Sequence, residues 1–385
     1  MIYLDNAATT RMSPEAAGAM IPFLTEQYGN PSSVYQLARK SREAIRRSRE
    51  CISKMLGAAP EEIIFTSGGT ESDNWALTAA FEACKEKGNH IITSRIEHPA
   101  VLRTCEYLER VRGARITWLD VDACGRIDLA QAEAAICPET ILLSVMFANN
   151  EVGTLQPVAE LGAMARGRGI LFHTDAVQAF GHLPISVDEL GIDMLSASGH
   201  KFHGPKGCGF LYLRKGSGIG ALLHGGGQEF NRRAGTENVP GIVAMGVAAE
   251  QAAEAMEERI ASETALRDYF AERVLQEIPD VSCNGHPKLR LPNNISCTFH
   301  GLSAESILIM LDLQGICASG GSACSSGSID PSHVLLAMGR PREEAFGTVR
   351  FTISHETTRE ELDRTIETLK MIVERLRKNL PGAER

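Results

Sequence analysis

The sequence predicts an α/β protein, with a larger part built on a mixed, mostly parallel sheet and a smaller α/β unit at the C-terminal end. Three observations predict this architecture. Short β-rich runs alternate with helical stretches from about residue 60 to 250, a long helical pattern follows Gly241, and more strand-like runs lie near the end of the chain. Such alternation is typical of a parallel sheet covered by helices.

The strands of the larger part follow in chain order from their β-branched and aromatic residues. The runs are EEIIFTSGG, NHIITSRIEH, ARITWLDVD, TILLSVMFANN, GILFHTDAV, IDMLSASGH and GCGFLYLRK, with helical stretches such as VAELGAMARGRG between several of them. The pattern from GIVAMGVAAE to ERVLQEI predicts one long helix that joins the two parts, and NNISCTFH and TVRFTISH predict strands of the second part. Open α/β sheets bind ligands at the carboxyl ends of their strands, where polar residues of this chain cluster.

Composition and charge exclude several classes of function. The 385 residues are 43% hydrophobic and 23% charged, which is ordinary for globular proteins. No apolar run approaches the ~18 residues of a membrane span, and the start MIYLDNAATT lacks a secretory leader, so we expect a cytoplasmic protein without membrane contact. A net charge of -9 argues against nucleic acid as a partner. The basic stretch RKSREAIRRSRE mixes both signs of charge and predicts a solvated helix face.

The ten cysteines predict free thiols rather than a disulfide framework. They are scattered, form no CxxC pair, and form no Cys/His cluster at zinc-finger spacing. Most are expected to be small buried hydrophobic residues, and Cys51, Cys84, Cys105 and Cys137 lie in apolar-periodic segments that fit this expectation. Cys324 differs, because the glycines and serines of SGGSACSSG offer nothing that would bury it. It is either an incidental surface thiol or a mobile reactive one.

A lysine at the end of a predicted strand is the first candidate for catalysis. An apolar run ends at Ala197, and the following Ser-Gly-His-Lys leaves Lys201 beside hydroxyl and imidazole groups. A partly desolvated lysine at such a place can form a Schiff base, whereas a solvated loop lysine is the alternative.

Two more strand ends have polar groups that suit a phosphorylated ring cofactor. After Thr66, two glycines precede Thr70 at the start of a helix, whose free N–H groups would form an anion site; an ordinary N-cap at Thr70 is the alternative. In HTDAVQAF, Asp175 would be buried at a strand end and would need a cation or strong donor as partner. A pyridinium N–H would supply that donor, and Gln178 could donate to the ring oxygen. The alternative is that Asp175 caps a helix.

His98 follows another strand, in IEHPAV. Its imidazole could stack on a planar ring or transfer protons near neutral pH, and a capping or plain loop histidine is the alternative.

Several motifs in unbroken order closely resemble cysteine desulfurases of the NifS/IscS type. They are DNAATT, YGNPSS, TSGGTESDN, EHPAV, ANNEVG, HTDAVQ, SGHKFHGPKG, RRAGTENVPG and SGGSACSSG, and the resemblance covers about residues 1 to 375. It implies the fold type I of pyridoxal 5'-phosphate (PLP) enzymes, like aspartate aminotransferase, with a large domain at 16–258 and a small domain from 1–15 and 259–385. It also implies a homodimer that takes sulfur from L-cysteine and leaves L-alanine.

The resemblance implies a role for each site residue. The expected cofactor-binding residues are Lys201, Asp175, Gln178, His98, Gly69, Thr70, Ser198, His200, Asn150 and, from the other subunit, Thr236. Lys201 would form the Schiff base, Asp175 would pair with the pyridine nitrogen, and His98 would stack on the ring and transfer a proton. Arg350, assisted by Asn150, would bind the substrate carboxylate. Cys324 would be the nucleophile that receives sulfur as a persulfide and passes it on, for example to an iron-sulfur scaffold protein.

Other functions stay open on these residues alone. A transaminase would share Lys201 and Asp175 but would not need Cys324, and a selenocysteine lyase would share nearly everything. The chain could instead be a docking platform in iron-sulfur assembly. A metal-binding protein is the least supported alternative, because HKFH has two imidazoles but no third ligand near in sequence, and we expect no metal. The sulfur acceptor is not predicted.

Overall fold

The computed structural model describes residues 1–320 and 331–379. The strands are β1 Ile2–Tyr3, β2 Ile63–Thr66, β3 His90–Ser94, β4 Arg115–Leu119, β5 Thr140–Ser144, β6 Leu171–Asp175, β7 Met194–Ser198, β8 Gly209–Leu213, β9 Val281–Asn284, β10 Asn294–Phe299, β11 Ile316–Cys317, β12 Ser319–Gly320 and β13 Thr348–Thr352. The α-helices are α1 Pro14–Thr25, α2 Gln36–Leu56, α3 Gly69–Cys84, α4 Pro99–Tyr107, α5 Leu129–Ala135, α6 Val158–Arg168, α7 Gln228–Asn231, α8 Val239–Glu254, α9 Met256–Glu277, α10 Ala304–Asp312, α11 His333–Ala337, α12 Arg342–Phe346 and α13 Arg359–Lys378.

A seven-stranded sheet in the order β2-β8-β7-β6-β5-β3-β4 forms the centre of the larger part. Each of its strands comes from one of the seven predicted runs. The strands β7, β6, β5, β3 and β4 are parallel, and β8 runs antiparallel to both β2 and β7. The prediction of a mixed, mostly parallel sheet is therefore confirmed.

Helices bury both faces of this sheet, because successive strand residues point to opposite sides. Ile92 and Leu143 face one hydrophobic cluster, together with residues of α2, α6 and α8. Their chain neighbours Ile91 and Leu142 face the other, with α3 and α4. Strands buried on both faces favour consecutive apolar residues, which explains the adjacent pairs Ile91–Ile92 and Leu142–Leu143 in the sequence.

A second sheet, in the order β12-β13-β10-β9, is antiparallel and packs against α9, α10 and α13. Its core includes Phe270 and Phe351, whose ring centroids are 5.1 Å apart. Ile2 and Leu4 join this core from the other end of the chain, because β1 pairs with β11. The exact domain boundaries, 1–15, 16–258 and 259–385, stay a prediction.

The predicted long connecting helix is wrong in one respect. The chain forms two helices, α8 and α9, that meet at Ala255, whose φ of -104° and ψ of 9° are not helical. Alanine favours helices, so nothing in the local sequence indicates the break.

The predicted solvated face of α2 is also only partly right. Arg46 and Arg47 form exposed ion pairs with Glu43, as expected. Arg49 instead points inward and forms a buried pair with Glu229, with an Nη2 to Oε1 distance of 2.7 Å.

Cysteine burial divides the predicted group of four. Cys84 and Cys105 are buried, as expected, whereas Cys51 and Cys137 are partly exposed, which corrects the prediction for these two. The Cys137 sulfur accepts a hydrogen bond from the exposed Arg115 side chain at 2.8 Å. Within the described ranges, no helix has both the length and the apolar character to cross a bilayer.

Candidate active site

The carboxyl ends of four parallel strands meet at one edge of the central sheet and enclose a cavity of about 200 Å³. Because β3, β5, β6 and β7 are parallel, the residues that follow them converge there. The cavity is lined by Ala7, Ala8, Gly69, Thr70, Asp73, His98, Met146, Ala148, Asn150, Asp175, Val177, Gln178, Ser198, His200 and Lys201. Nine of the ten predicted cofactor-binding residues are thus in one place, and Thr236 is the exception.

Lys201 enters the cavity from a single turn that follows β7. Its ammonium donates hydrogen bonds to the carbonyl oxygens of Ala7 at 2.6 Å and Ala8 at 2.8 Å. The Lys201 carbonyl accepts a hydrogen bond from His182 Nε2 at 3.0 Å, which fixes the turn. The amine is therefore partly buried and held at the cavity by two backbone carbonyls.

Asp175, the last residue of β6, is only 5% exposed. Burial raises the pKa of its carboxyl group, and the positive charges of His98 and Lys201 oppose the increase. Its Oδ1 accepts a hydrogen bond from the Val177 amide at 2.9 Å, in a turn rather than a helix. Asp175 thus caps a local turn, not the helix considered as the alternative from sequence, and it also lines the cavity.

Asp73, in α3, is a residue whose role the sequence did not reveal. It is 1% exposed, and burial together with the charge of Asp175 raises its pKa well above the ordinary value. Its Oδ1 has no hydrogen-bond partner among the described residues and lies 3.6 Å from His173 Nε2. Burial lowers the pKa of His173 to about 3, so this imidazole is neutral. The sequence did offer one sign that Asp73 is close to the site: it lies one turn into the helix that begins just after β2.

The turn between β2 and α3 requires glycine. Gly68 has a φ of +149° and is the N-cap of α3, so Thr70 is not the N-cap, contrary to the alternative considered from sequence. A Cβ at Gly69 would lie only 2.6 Å from Val177 Cγ2. The absence of a side chain therefore lets the first turn of α3 pack closely against Val177 in the cavity wall. Glu71 does not place a negative charge in the cavity where an anion would bind, because it pairs with Arg233, with an Nε to Oε1 distance of 2.9 Å.

The two histidines of the cavity are fixed by hydrogen bonds to the chain around them. His98 is the N-cap of α4, and its Nδ1 accepts from the Ala100 amide at 3.1 Å, so the capping alternative is realised while the ring still lines the cavity. His200 Nδ1 lies 3.2 Å from Thr9 Oγ1, and burial with the nearby Lys201 charge lowers its pKa to about 4. His200 is therefore neutral at physiological pH.

Arg350 is 1% exposed and lies behind the cavity wall. It donates from Nη1 to the Asn150 carbonyl at 2.9 Å and from Nη2 to Asp5 Oδ1 at 3.0 Å. Its Nε has no partner among the residues that the structure describes. Gly320 on β12 pairs with β13 next to Arg350, and Cys324 lies outside the described residues.

Thr236 is exposed and lines a different pocket, of about 110 Å³, together with Arg233 and Glu229. Within one chain it does not join the cavity of Lys201.

The donor set fits a cationic aromatic ring better than a metal ion. Ligand atoms of Asp73, His98 and Asp175 lie within 4.8 Å of one another, which is the spacing of a possible cation site. However, the Lys201 ammonium lies in the same cavity and would repel a metal, whereas an amine that can condense with an aldehyde suits an aldehyde-bearing cofactor. The buried Asp175 carboxylate still needs a strong donor, and a pyridinium N–H provides one.

Comparison with known proteins gives consistent matches over nearly the whole chain. The family model "Aminotransferase class-V" matches residues 2–365. "Cysteine desulfurase IscS" of Dictyoglomus turgidum is 52% identical over 98% of this chain and 95% of that protein. Among solved structures, a "NifS-like protein" superposes with a TM-score of 0.90 at 38% identity, covering 97% of this chain and 99% of the other. The structure titled "SspA in complex with cysteine" gives a TM-score of 0.83 at 38% identity, covering 93% and 100%.

These matches confirm the fold type I prediction and the predicted cofactor class, since NifS-like and IscS-like enzymes depend on PLP. The chain belongs to the class-V aminotransferase family, among its cysteine desulfurases of the NifS and IscS type.

Proposed function

We propose that this chain is a PLP-dependent cysteine desulfurase whose active site is the cavity around Lys201. The observation that supports it most is the presence of Lys201 and the buried Asp175 in one cavity at the ends of adjacent strands. The reaction converts L-cysteine to L-alanine and transfers the sulfur to the enzyme. The relatives named for this activity and the solved relative titled as a complex with cysteine support this substrate.

PLP would supply an electron sink at the substrate Cα when bound, and the protein would hold it from several sides. Asp175 would keep the ring nitrogen protonated, Gln178 would donate to the ring oxygen, and His98 would stack on the ring. Gly69, Thr70, Ser198 and His200 would surround the phosphate, with the free N–H groups of the first turn of α3 directed at it. Thr236 would complete this site from a second copy of the chain, which fits its exposure in a separate pocket.

Lys201 would act twice. Its amine would attach the cofactor to the protein, and the same amine, when free, would accept the Cα proton of cysteine. The Ala7 and Ala8 carbonyls bind the ammonium form, so they hold the nitrogen in place after it has taken the proton.

Arg350 and Asn150 would bind the carboxylate of the substrate. The guanidinium has a fixed fork of donors that matches a carboxylate, and its Nε has no partner among the described residues. Asp5 would keep the guanidinium oriented from the opposite side.

Cys324 would collect the sulfur. Its thiolate attacks the sulfur of cysteine, the Cβ–S bond of the substrate breaks, and the three-carbon fragment takes up protons to become alanine, with His98 as the proton donor. The persulfide formed on Cys324 is then available to an acceptor. We propose an iron-sulfur scaffold protein as the acceptor and a homodimer as the working form.

The lysine assignment is tested by Lys201→Ala. The purified variant should lack the visible absorption of a lysine-bound cofactor and should show no borohydride-reducible attachment. Lys206→Ala, five residues along the same segment, is the matched control and should keep both signals. A reducible cofactor in Lys201→Ala would assign the attachment to another lysine.

The sulfur-accepting role is tested by Cys324→Ser. This variant should keep the cofactor spectrum but lose alanine and sulfide production from cysteine with reductant present, whereas Cys317→Ser should retain both. Full turnover by Cys324→Ser would reject the role. Formation of a keto acid in place of alanine would favour the transaminase alternative.

A further inference from the structure

Two cysteines face each other across neighbouring strands of the second sheet, and neither lines the cavity around Lys201. Cys283 of β9 is paired in register with Cys297 of β10, and their sulfur atoms are 3.5 Å apart. Directly opposed residues of antiparallel strands have Cβ atoms about 4.5–5.5 Å apart, at the upper limit of the 3.5–4.5 Å range of disulfides. A small rotation of the two side chains would therefore bring the sulfurs to bonding distance.

The two thiols differ in accessibility. Cys297 is fully buried and belongs to the core of the second sheet, between Ile295 and Phe299. Cys283 is partly exposed, and its strand β9 is at the edge of that sheet. A small oxidant can therefore reach Cys283. Cys297 is shielded from solvent and contacts only other residues of the protein.

The two thiols also differ in acidity. The hydrogen bond with the Cys297 thiol lowers the pKa of Cys283 against the effect of burial, and the Arg290 guanidinium adds to the lowering. The same hydrogen bond and complete burial raise the pKa of Cys297. Arg290 is held near the strands by Nη2 hydrogen bonds to the carbonyls of Asn294 at 2.9 Å and Val152 at 3.3 Å. A more acidic, partly exposed thiol next to a second thiol is the arrangement of a pair that oxidises reversibly.

We propose that Cys283 and Cys297 form a redox-active dithiol, which hydroperoxides oxidise to an intrachain disulfide. The Cys283 thiolate attacks one peroxide oxygen, the O–O bond breaks, and a sulfenic acid forms with release of one water after protonation. The Cys297 thiol then attacks the sulfenic sulfur and displaces the second water, so two thiols and one hydrogen peroxide give one disulfide and two waters. A low-molecular-weight thiol reverses the reaction by exchange at the more exposed sulfur.

The pair is connected to the wall of the active-site cavity. Asn294, at the start of β10, donates from Nδ2 to the carbonyl of Asn150 at 3.2 Å, and the same carbonyl accepts from Arg350. The disulfide would thus form on the strand that positions Asn150.

The experiment uses the Cys324→Ser holoenzyme, because this background removes the other thiol expected to react. The protein is treated with hydrogen peroxide, alkylated, and digested with trypsin, which cuts after Lys288 and Arg290 and so separates the two cysteines. Mass spectrometry without reductant should show one linked peptide pair, lighter by two hydrogens than the sum of its parts, and the loss of two alkylatable thiols per chain. Reduction should restore both thiols.

Variants in the same background test the pairing. Cys283→Ser should abolish the linked peptide, and so should Cys297→Ala, which keeps a small apolar side chain in the core. Cys84→Ser, a buried cysteine outside the pair, should leave it unchanged. The proposal is overturned if both thiols stay alkylatable after peroxide treatment, or if Cys283 proceeds to sulfinic acid without a link to Cys297.

Discussion

Glu97 should make the stability of this protein fall as pH rises. The side chain is 1% exposed, and its carboxylate accepts hydrogen bonds from Ser94 Oγ at 2.6 Å and from the Met146 amide at 3.0 Å. Burial outweighs these bonds and raises its pKa from 4.5 to about 8. The folded state therefore holds a proton that the unfolded chain releases above pH 4.5, so the stabilising effect of the neutral acid is complete below that pH and is lost as pH rises through 8.

The size of the effect follows from the two pKa values. The difference between 4.5 and about 8 is 3.5 units, which at 1.36 kcal/mol each corresponds to about 5 kcal/mol as an order of magnitude. Glu97→Gln replaces the titrating group by a permanently neutral one of the same shape, so this pH dependence should disappear from the variant.

The assay is the melting temperature of the wild type minus that of Glu97→Gln, measured at intervals from pH 5 to pH 9. The difference should decrease from pH 5 to about pH 8 and then level off. Glu86→Gln, at an exposed position, is the control and should give a difference that does not change with pH. A flat difference for Glu97→Gln would refute the reasoning, because it would mean that Glu97 is ionised in the folded protein at pH 5.

Three other predictions concern packing and binding. Arg49→Met leaves a buried carboxylate without its partner and should lower the free energy of unfolding by about 3–5 kcal/mol, measured by denaturant titration; a loss below ~1 kcal/mol would contradict it. Gly69→Ala pushes a methyl group against the neighbouring valine, so it should cost about 1–3 kcal/mol and weaken PLP binding in a cofactor titration, while Gly167→Ala, with open space around it, should do neither. Arg350→Lys loses the fork of donors, worth about 1.5–3 kcal/mol for a charged hydrogen bond, and should raise KM for cysteine roughly ten- to a hundredfold; an unchanged KM would exclude a role in substrate binding.

The central sheet was predictable from sequence because its strands are short and largely apolar, and several are rich in β-branched residues, as in the runs that became β2 and β3. The strand ends also predicted where Asp175, His98 and Lys201 come together, since parallel strands direct their carboxyl ends to one edge. These are local patterns combined with one general rule of topology.

What the sequence did not predict depends on contacts between distant residues. Arg49 looked like one more solvated charge, and only the position of Glu229, 180 residues later, explains its burial. Ala7 and Ala8 contribute backbone carbonyls to Lys201, and a backbone group leaves no trace in the identity of its residue. The position of Asp73 near a strand end indicated that it lies close to the site but not that it is buried, because its neighbours in α3 are polar as well as apolar.

The hydrogen bonds made by the first residues have a consequence for biosynthesis. Asn6 donates to the carbonyl of Thr352, 346 positions away, and the adjacent Ala7 and Ala8 accept from Lys201. The segment around Asn6 therefore finds this partner only after Thr352 has been synthesised. A nascent chain can assemble the central sheet earlier, but we expect it to gain the ability to retain PLP only after Thr352 has left the ribosome.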